Sequence, residues 1–255
     1  MTAPIWLLGC GHMGGALLAR WLAEDMGPVA VIDPNPRLLP DGVEASAVPP
    51  DGRPDVLVLA VKPQVWRAAA APLLAQIGPM TLVVSVMAGV TTADLAAAFP
   101  GAAIIRAMPN TPSAIGQGVT ALFTTAGDLA EGAGEALFSA AGATVWLADE
   151  GDFDAVTAVS GSGPAYVFAF IEALAAAGVA AGLAPVLADR LARATVTGAA
   201  ALAAAEAAVP AAELRTRVTS PGGTTAAGLA VLQPGLAPLV AATVSAAAAR
   251  SRALG

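Results

Sequence analysis

The sequence contains few of the side chains that most often carry acid–base or metal chemistry. Its 255 residues include a single cysteine (Cys10), a single histidine (His12) and a single lysine (Lys62). One cysteine excludes a disulfide framework within the chain, and one histidine argues against a zinc site. We therefore predict that the protein binds no metal and works in the cytoplasm.

Charged residues are scarce as well. They form 12% of the chain against 56% hydrophobic residues, and the formal net charge is −7. Binding to nucleic acid needs a basic patch, and the sequence shows none. We predict a folded protein that has no nucleic-acid partner.

The mean hydropathy of +0.71 raises the question of a membrane span. A bilayer requires about 20 uninterrupted apolar residues. The best candidate, residues 165–188, is broken by Glu172, Gly178, Gly182 and Pro185. We interpret it as two buried helical pieces joined at a turn and predict no membrane association. The N-terminus has no basic segment, so we also predict no signal peptide.

The first 100 residues alternate between short apolar runs and stretches with helical spacing. The apolar runs lie at 5–8, 29–32, 55–61 and 81–87. Such alternation predicts a parallel sheet that is covered on both faces. Three later runs, at 104–108, 121–124 and 144–147, are expected to add strands.

The composition changes at about residue 152. Beyond it, long stretches of Ala, Leu, Val and Gly are broken by Pro185, Pro210 and a Pro-Gly-Gly turn. We predict an α/β nucleotide-binding domain over residues 1–151 and an all-helical domain over residues 152–255. The small residues permit close helix packing, so we expect the helical half to dimerise. The alternative is an alanine-rich bias without meaning for assembly.

A glycine motif, Gly9-Cys10-Gly11-His12-Met13-Gly14, follows the first predicted strand and opens a helix. In the G-x-G-x-x-G pattern the first glycine permits a tight turn, the second admits a pyrophosphate and the third lets helix and strand pack closely. The helix N-terminus offers N–H groups to the phosphates. The motif predicts dinucleotide binding. For His12 we expect loop packing or cofactor contact in preference to acid–base catalysis.

Asp33 ends the second predicted strand, about 20 residues after the glycines. A carboxylate there accepts a hydrogen bond from the ribose 2′-hydroxyl of NAD and repels the 2′-phosphate of NADP. Asp33 therefore favours NADH as a usable cofactor. The alternative is that it only starts the Asp-Pro-Asn-Pro turn.

Two further segments end strands at the same predicted edge. Lys62, in Ala60-Val61-Lys62-Pro63, is a functional candidate there, and a solvated lysine is the alternative. The small residues of segment 85–90 suit the close approach of a flat nicotinamide ring. Segment 106–112, Arg-Ala-Met-Pro-Asn-Thr-Pro, is rigid and polar and suits the wall of a site.

The helical half carries two polar turns. One, at 160–166, is a serine-rich turn with a proline at the start of a helix. The other, at 218–225, surrounds a Gly-Gly pair with hydroxyl groups, and successive N–H groups in such a turn can bind a carboxylate without arginine. Ordinary capped helix starts are the alternative for both.

Five motifs together resemble the pyrroline-5-carboxylate reductase family. They are GCGHMG, AVKP, RAMPNTP, DAVTAVSGSGPAYVF and LRTRVTSPGGTTAAGLAVLQ, in the family's order. The resemblance covers residues 5 to about 232. It implies an N-terminal Rossmann-like dinucleotide-binding domain and a C-terminal helical domain that interlocks with a second subunit.

The resemblance also implies roles for individual residues. The residues expected at the cofactor are Gly9, Gly11, His12, Met13, Gly14, Asp33, Ala60, Val61, Lys62, Pro63, Val86, Met87, Ala88, Asn110 and Glu150. The residues expected to hold the substrate carboxylate are Ser220, Gly222, Gly223, Thr224 and Thr225, in a site completed across the dimer. Thr225 matches the threonine beside the imine nitrogen and is the expected catalytic residue.

Three positions depart from the family pattern. His12 replaces the usual asparagine, Met87 stands where a small residue is common, and Asp33 replaces the Ser/Asn-type residue of NADP-preferring members. The first two changes are expected to be tolerated. The third leaves both NADPH and NADH open as cofactor.

The implied reaction is the NAD(P)H-dependent reduction of the cyclic imine 1-pyrroline-5-carboxylate to L-proline, the last step of proline biosynthesis. The scarcity of His, Tyr and Lys agrees with a reaction that needs no strong catalytic acid. The proton either arrives on the imine or comes from Thr225 with water. We expect a homodimer, with a larger homo-oligomer and other cyclic imines left open.

Two other functions compete with this one. A β-hydroxyacid-type dehydrogenase has the same two-domain plan but normally carries a lysine in its helical half, and this half has none. A non-catalytic dinucleotide-binding module would not need the turn at 220–225.

Overall fold

A computed structural model describes residues 3–253, and it contains one eight-stranded sheet. The strands are β1 (Ile5–Leu8), β2 (Val29–Ile32), β3 (Ala45–Ser46), β4 (Val56–Leu59), β5 (Leu82–Ser85), β6 (Ala103–Met108), β7 (Gly118–Thr124) and β8 (Gly142–Trp146). Seven of them coincide with or overlap the apolar runs of the sequence, and β3 is additional.

The strands lie in the order β3-β2-β1-β4-β5-β6-β7-β8. All neighbours are parallel except β6 and β7. A parallel crossover needs roughly a dozen residues or more, and the connection from Met108 to Gly118 is shorter than that. The parallel sheet predicted from the first 100 residues is confirmed, and β7, for which no direction was predicted, runs antiparallel to β6.

Helices cover both faces of the sheet. The α-helices are α1 (His12–Ala23), α2 (Trp66–Ala70), α3 (Thr92–Ala98), α4 (Asp128–Ser139), α5 (Phe153–Val156), α6 (Gly163–Ala180), α7 (Pro185–Ala205), α8 (Ala211–Arg217) and α9 (Thr224–Arg252). Alternate residues of β1 enter opposite core layers, because side chains alternate along a strand. Ile5 and Leu7 pack in one layer, and Trp6 and Leu8 in the other.

The chain forms two compact units. The first extends to Ser162 and includes the end of α9 from Ala247, and the second comprises Gly163–Ala246. The first contains the sheet and α1 to α5, and the second is helical. The boundary that we predict between residues 151 and 152 lies before this division and stays a prediction.

Within the second unit, α6 and α7 are joined by a turn in which Gly182 adopts φ = +100°. This confirms the two helical pieces predicted for residues 165–188. Their predicted burial is wrong for the single chain, since Phe168 and Val186 are 63% and 84% exposed. Two helical stretches, Glu150–Ala180 and Thr224–Arg252, are long and apolar enough to cross a membrane by length and composition.

Candidate functional site

The order of the strands reverses between β1 and β4, and open α/β sheets bind ligands at such a point, outside the carboxyl ends of the strands. The last residues of the two strands, Leu8 and Leu59, are paired in register. The N–H of Ala60 then donates to the carbonyl oxygen of Leu8 at 2.8 Å. The glycine motif after β1 and the segment Ala60–Pro63 after β4 therefore lie side by side.

Two glycines of the motif sit where no side chain fits. Gly9 adopts φ = +97°, and a Cβ there would lie 2.8 Å from the carbonyl oxygen of Ala60. A Cβ on Gly14 would lie 2.2 Å from the carbonyl oxygen of Gly9. By contrast, a Cβ on Gly11 would meet nothing within 4 Å. The loop is thus compact on its inner side and open at Gly11, as the approach of a pyrophosphate requires.

Helix α1 starts at this opening with an uncompensated positive end. Its N-cap residue is Gly11, so no side chain caps the helix, and no acidic residue lies in its first turn. The free N–H groups and the helix dipole favour an anion at this position. His12 is exposed, and with Met13 and Thr111 it lines a cavity of about 580 Å³ beside α1.

Asp33 follows β2 and lies next to the glycine motif. Its Oδ2 accepts a hydrogen bond from the N–H of Cys10 at 2.6 Å. Burial raises the pKa of the Cys10 thiol, and the negative charge of Asp33 raises that pKa further. Asp33 thus lies directly after β2 and beside the glycine motif, as its place in the sequence predicted.

The segments that follow β4 and β5 lie at the same edge. Lys62 is exposed, and its side chain makes no hydrogen bond or ion pair within residues 3–253. The N–H of Val86 donates to the carbonyl oxygen of Leu59 at 3.1 Å, which brings segment 86–88 beside β4. The Met87 side chain is only 3% exposed and packs in the core. Only the backbone of Met87 is therefore available to a cofactor.

Asn110 connects three parts of the first unit. Its side chain is buried, with Oδ1 accepting from the N–H of Val119 at 3.0 Å and Nδ2 donating to the carbonyl oxygen of Ser160 at 3.2 Å. The amide thus holds the segment after β6 against β7 and the serine-rich turn. These two hydrogen bonds fix the orientation of the amide.

Glu150 is bound to the start of α3 and to a buried arginine. Its Oε1 accepts from the N–H of Thr92 at 2.8 Å and from Nη1 of Arg106 at 3.0 Å, and its Oε2 accepts from the Thr92 hydroxyl at 2.7 Å. Burial alone would raise the pKa of Glu150, but the hydrogen bonds from Thr92 and Arg106 outweigh it and lower the pKa. Glu150 is therefore a charged brace between β6 and α3.

Arg106 and Thr92 were not singled out as site residues from the sequence. The Arg106 side chain is 10% exposed, and its guanidinium lies 4.2 Å from the centre of the Phe153 ring. A single arginine inside the apolar strand Ala-Ile-Ile-Arg-Ala-Met was the available signal, because a buried charge requires a partner. Nothing in the local sequence indicates Thr92.

The polar turn of the second unit precedes α9. Gly222 adopts φ = +70°, and the N–H of Gly223 donates to the carbonyl oxygen of Ser220 at 3.1 Å. Helix α9 begins at Thr224 without an acidic residue in its first turn. The hydroxyl groups of Ser220, Thr224 and Thr225 are exposed and make no hydrogen bond within the described residues. The turn presents hydroxyls and a helix N-terminus, a set of donors suited to a carboxylate.

Metal ligation has no support in the described part of the chain. No group of three or more His, Cys, Asp or Glu side chains there could hold an ion.

Two family models match the chain. Residues 150–254 match a model described as pyrroline-5-carboxylate reductase dimerisation, and residues 4–89 match one described as NADP oxidoreductase, coenzyme F420-dependent. The first model covers the helical unit, and the second covers the glycine motif, Asp33 and the first parallel strands.

Relatives match along the whole chain. The chain is 42% identical to a pyrroline-5-carboxylate reductase of Synechocystis, over 100% of this chain and 99% of that protein. It is 40% identical to that of Pseudomonas aeruginosa, over 98% and 96%.

Solved structures match in the same way. A pyrroline-5-carboxylate reductase of Coxiella burnetii aligns with a TM-score of 0.89 at 32% identity, over 100% of this chain and 99% of that one. The Plasmodium falciparum pyrroline carboxylate reductase with NADP bound aligns with a TM-score of 0.83 at 26% identity, over 99% and 98%.

Proposed function

This chain belongs to the pyrroline-5-carboxylate reductase family, and we propose that it reduces 1-pyrroline-5-carboxylate to L-proline with the residues described above. It is an NAD(P)H-dependent oxidoreductase of proline biosynthesis. The observation that carries the assignment of the cofactor loop is the open Gly11 at the uncapped start of α1.

The cofactor NADPH or NADH fits this edge of the sheet. The N–H groups at the start of α1 would hold the pyrophosphate, and Asp33 would face the adenosine ribose. Segments Ala60–Pro63 and 86–88 would line the nicotinamide side, with Asn110 fixed nearby. When bound, the cofactor supplies the hydride, and the protein supplies position and electrostatics.

The substrate carboxylate is assigned to the turn at Ser220–Thr225. In support, this turn offers N–H and hydroxyl donors without an acidic neighbour in the first turn of α9. The carboxylate would orient the ring, and the Thr225 hydroxyl would lie beside the imine nitrogen. Holding two reactants in a fixed orientation lowers the barrier by reducing the entropy lost in the reaction step.

The proton on nitrogen requires no strong acid from the protein. Either the imine binds already protonated, or the Thr225 hydroxyl passes a proton from water. A β-hydroxyacid-type dehydrogenase would instead need a positioned base, and the helical half contains no lysine. A non-catalytic dinucleotide-binding module would have no use for the free hydroxyls of the turn.

The second unit belongs to a homo-oligomer, in agreement with its dimerisation model. We propose that the smallest oligomer is a dimer, in which the exposed apolar faces of α6 and α7 contact a second copy of the chain. Glu172 and the Asp189–Arg193 pair lie on these helices, and charges within a bilayer are costly. We further propose that the protein works in the cytoplasm without membrane contact.

The test is the oxidation of NADH and NADPH, followed by absorbance with and without 1-pyrroline-5-carboxylate. Wild type is expected to oxidise cofactor only when the imine is present. Thr225→Ala should lower the rate by tenfold or more. The control Thr216→Ala removes an exposed threonine hydroxyl that is bonded to its own helix at the carbonyl oxygen of Ala212, and it should retain the wild-type rate.

Three results would contradict the assignment. Cofactor that binds but is not consumed with the imine would exclude the reductase function. A Thr225→Ala variant with the wild-type rate would remove this residue from the site. Equal losses in Thr225→Ala and Thr216→Ala would show damage to the fold instead of loss of a specific donor.

A further inference from the structure

The loop after β2 is fastened to the glycine motif around Cys10. The N–H of Cys10 donates to Asp33 Oδ2 at 2.6 Å, and its thiol donates to the carbonyl oxygen of Leu38 at 3.1 Å. The carbonyl oxygen of Cys10 accepts from the N–H of Arg37 at 2.9 Å. Residues 33–38 are therefore held in one position against the phosphate-binding loop.

A close contact with α1 holds the same loop from its other side. A Cβ on Gly15 would lie 2.5 Å from the carbonyl oxygen of Leu38, so the loop backbone packs directly on the helix. Because the loop touches both the glycine motif and α1, it cannot move towards them. These contacts lie within the chain itself and involve no cofactor.

The carboxylate of Asp33 is fixed within this loop. Oδ2 is bound to Cys10, and Oδ1 accepts from the N–H of Asn35 at 2.7 Å. Each carboxylate oxygen has a second lone pair, so each can still accept one hydrogen bond. At the end of the second strand of such a sheet, the free lone pairs face the adenosine ribose.

A fixed carboxylate treats the two cofactors differently. It accepts hydrogen bonds from the 2′-hydroxyl of NADH, and such charge-assisted bonds are among the stronger ones. NADPH carries a phosphate there, which offers no matching donor and brings like charge. Because both oxygens of Asp33 are held by backbone N–H groups, the carboxylate cannot turn away to relieve the repulsion.

Arg37 is the one nearby feature that favours NADPH. It lies four residues after Asp33, and its side chain is exposed and makes no hydrogen bond or ion pair within residues 3–253. An arginine near this position can accept the 2′-phosphate. However, exposed ion pairs contribute little because solvent screens them and long side chains lose entropy. The fixed carboxylate should therefore dominate.

We propose that Asp33, whose two carboxylate oxygens are held by the N–H groups of Cys10 and Asn35, makes this chain selective for NADH over NADPH. The proposal rests on the proposed function only for the class of cofactor that binds. We expect the Kd for NADH to be at least about tenfold lower than that for NADPH, a difference of about 1.4 kcal/mol.

The test measures binding without imine, by the fluorescence of the reduced nicotinamide and by calorimetry. ADP-ribose and its 2′-phosphate serve as probes that lack the nicotinamide. Asp33→Asn keeps the shape and an acceptor for Cys10, and Asp33→Ser removes the carboxylate. Both should move the ratio of the two Kd values towards NADPH by tenfold or more. Asp51→Asn, at an exposed acid elsewhere, should leave the ratio unchanged.

The result for wild type decides the proposal even if a variant fails to fold. Equal or tighter binding of NADPH would overturn it, as would folded Asp33 variants with the wild-type ratio. If Arg37→Ala weakens NADPH binding and wild type prefers NADPH, Arg37 is the determinant and the proposal fails.

The outcome is separable from that of the reductase assignment. Selective binding of NADH without imine-dependent oxidation of the cofactor would contradict the reductase function and support the role of Asp33. Imine reduction with a lower KM for NADPH than for NADH would support the reductase function and contradict the role of Asp33.

Discussion

Replacing Glu150 by alanine should destabilise the first unit strongly, because it leaves a buried guanidinium without its partner. The side chains of Arg106 and Glu150 are 10% and 23% exposed. Removing one partner of a buried ion pair typically costs about 3–5 kcal/mol. Partial exposure of Glu150 places the expected loss at the lower end, about 3 kcal/mol.

The assay is urea unfolding at one fixed protomer concentration, since association adds to the apparent stability. The matched control is Glu24→Ala, which removes a glutamate paired with Arg20 at 3.1 Å on the surface. Exposed pairs are worth about 0–1 kcal/mol, so this variant should unfold near the wild-type midpoint. The two variants differ in burial and not in the type of pair.

A double-mutant cycle isolates the pair itself. Arg106→Met keeps an apolar chain against the Phe153 ring and removes the charge. Combined with Glu150→Ala, it should cost less than the sum of the two single changes, with a coupling of about 1–3 kcal/mol. If Glu150→Ala lowers the free energy of unfolding by less than about 1 kcal/mol, or if the losses of the two single variants are strictly additive, the Arg106–Glu150 pair does not stabilise the first unit as we expect.

Three further predictions concern the glycine loop, acid stability and assembly. Gly14→Ala should raise the cofactor Kd at least tenfold by calorimetry, because its Cβ would lie 2.2 Å from the carbonyl oxygen of Gly9; unchanged affinity would exclude that contact. Since the pKa of Glu150 is lowered from 4.5, its stabilisation is full above that pH and is lost as pH falls through the lowered value. Acid titration of unfolding should therefore be shallower for Glu150→Gln, and equal slopes would contradict this. Phe168→Asp places a charge on a side chain that is 63% exposed in the single chain, so sedimentation should show a shift towards monomer; an unchanged oligomer would place Phe168 outside the interface.

The central strands were predictable because each buried strand coincides with a short run of apolar residues. Strand β1 occupies the predicted residues 5–8, and β4 and β5 lie inside the predicted runs. Strand β3 has only two residues, too few for a periodic pattern to be recognised. The antiparallel direction of β7 was predictable in principle from the short connection after Met108, but apolar runs alone do not carry direction.

The glycine motif and the contacts of Glu150 with Thr92 and Arg106 differ in how far apart their residues lie in the sequence. The glycine motif is contiguous, and its steric requirements appear as glycines at fixed spacing. The brace joins residues 58 and 44 positions apart in sequence, so only the folded sheet brings them together. The family resemblance placed Glu150 at the cofactor, and Arg106 was noted only as part of the polar segment 106–112, so the sequence did not pair them.

The hydrogen bonds that join Cys10 to Asp33 and Leu38 could be predicted from the sequence only in part. Asp33 was predicted from its place after the second strand, and the turn that it starts was offered as an alternative function. The structure shows the turn, because Oδ1 accepts from the N–H of Asn35, and it shows Oδ2 accepting from the N–H of Cys10, while the contact with the ribose stays a prediction. A turn-forming aspartate and a ribose-facing aspartate are therefore compatible, since a carboxylate has enough lone pairs for both.

The high mean hydropathy of the chain is explained by its second unit. Apolar side chains such as Phe168 and Leu239 lie exposed there in the single chain, at 63% and 67%. Hydrophobic composition predicts that a surface is removed from water, but it does not say whether the chain's own core, a lipid or another subunit covers it. The dimerisation model over residues 150–254 favours a subunit. The predicted burial of residues 165–188 is therefore wrong for the single chain, and we expect a second copy of this chain to cover these side chains.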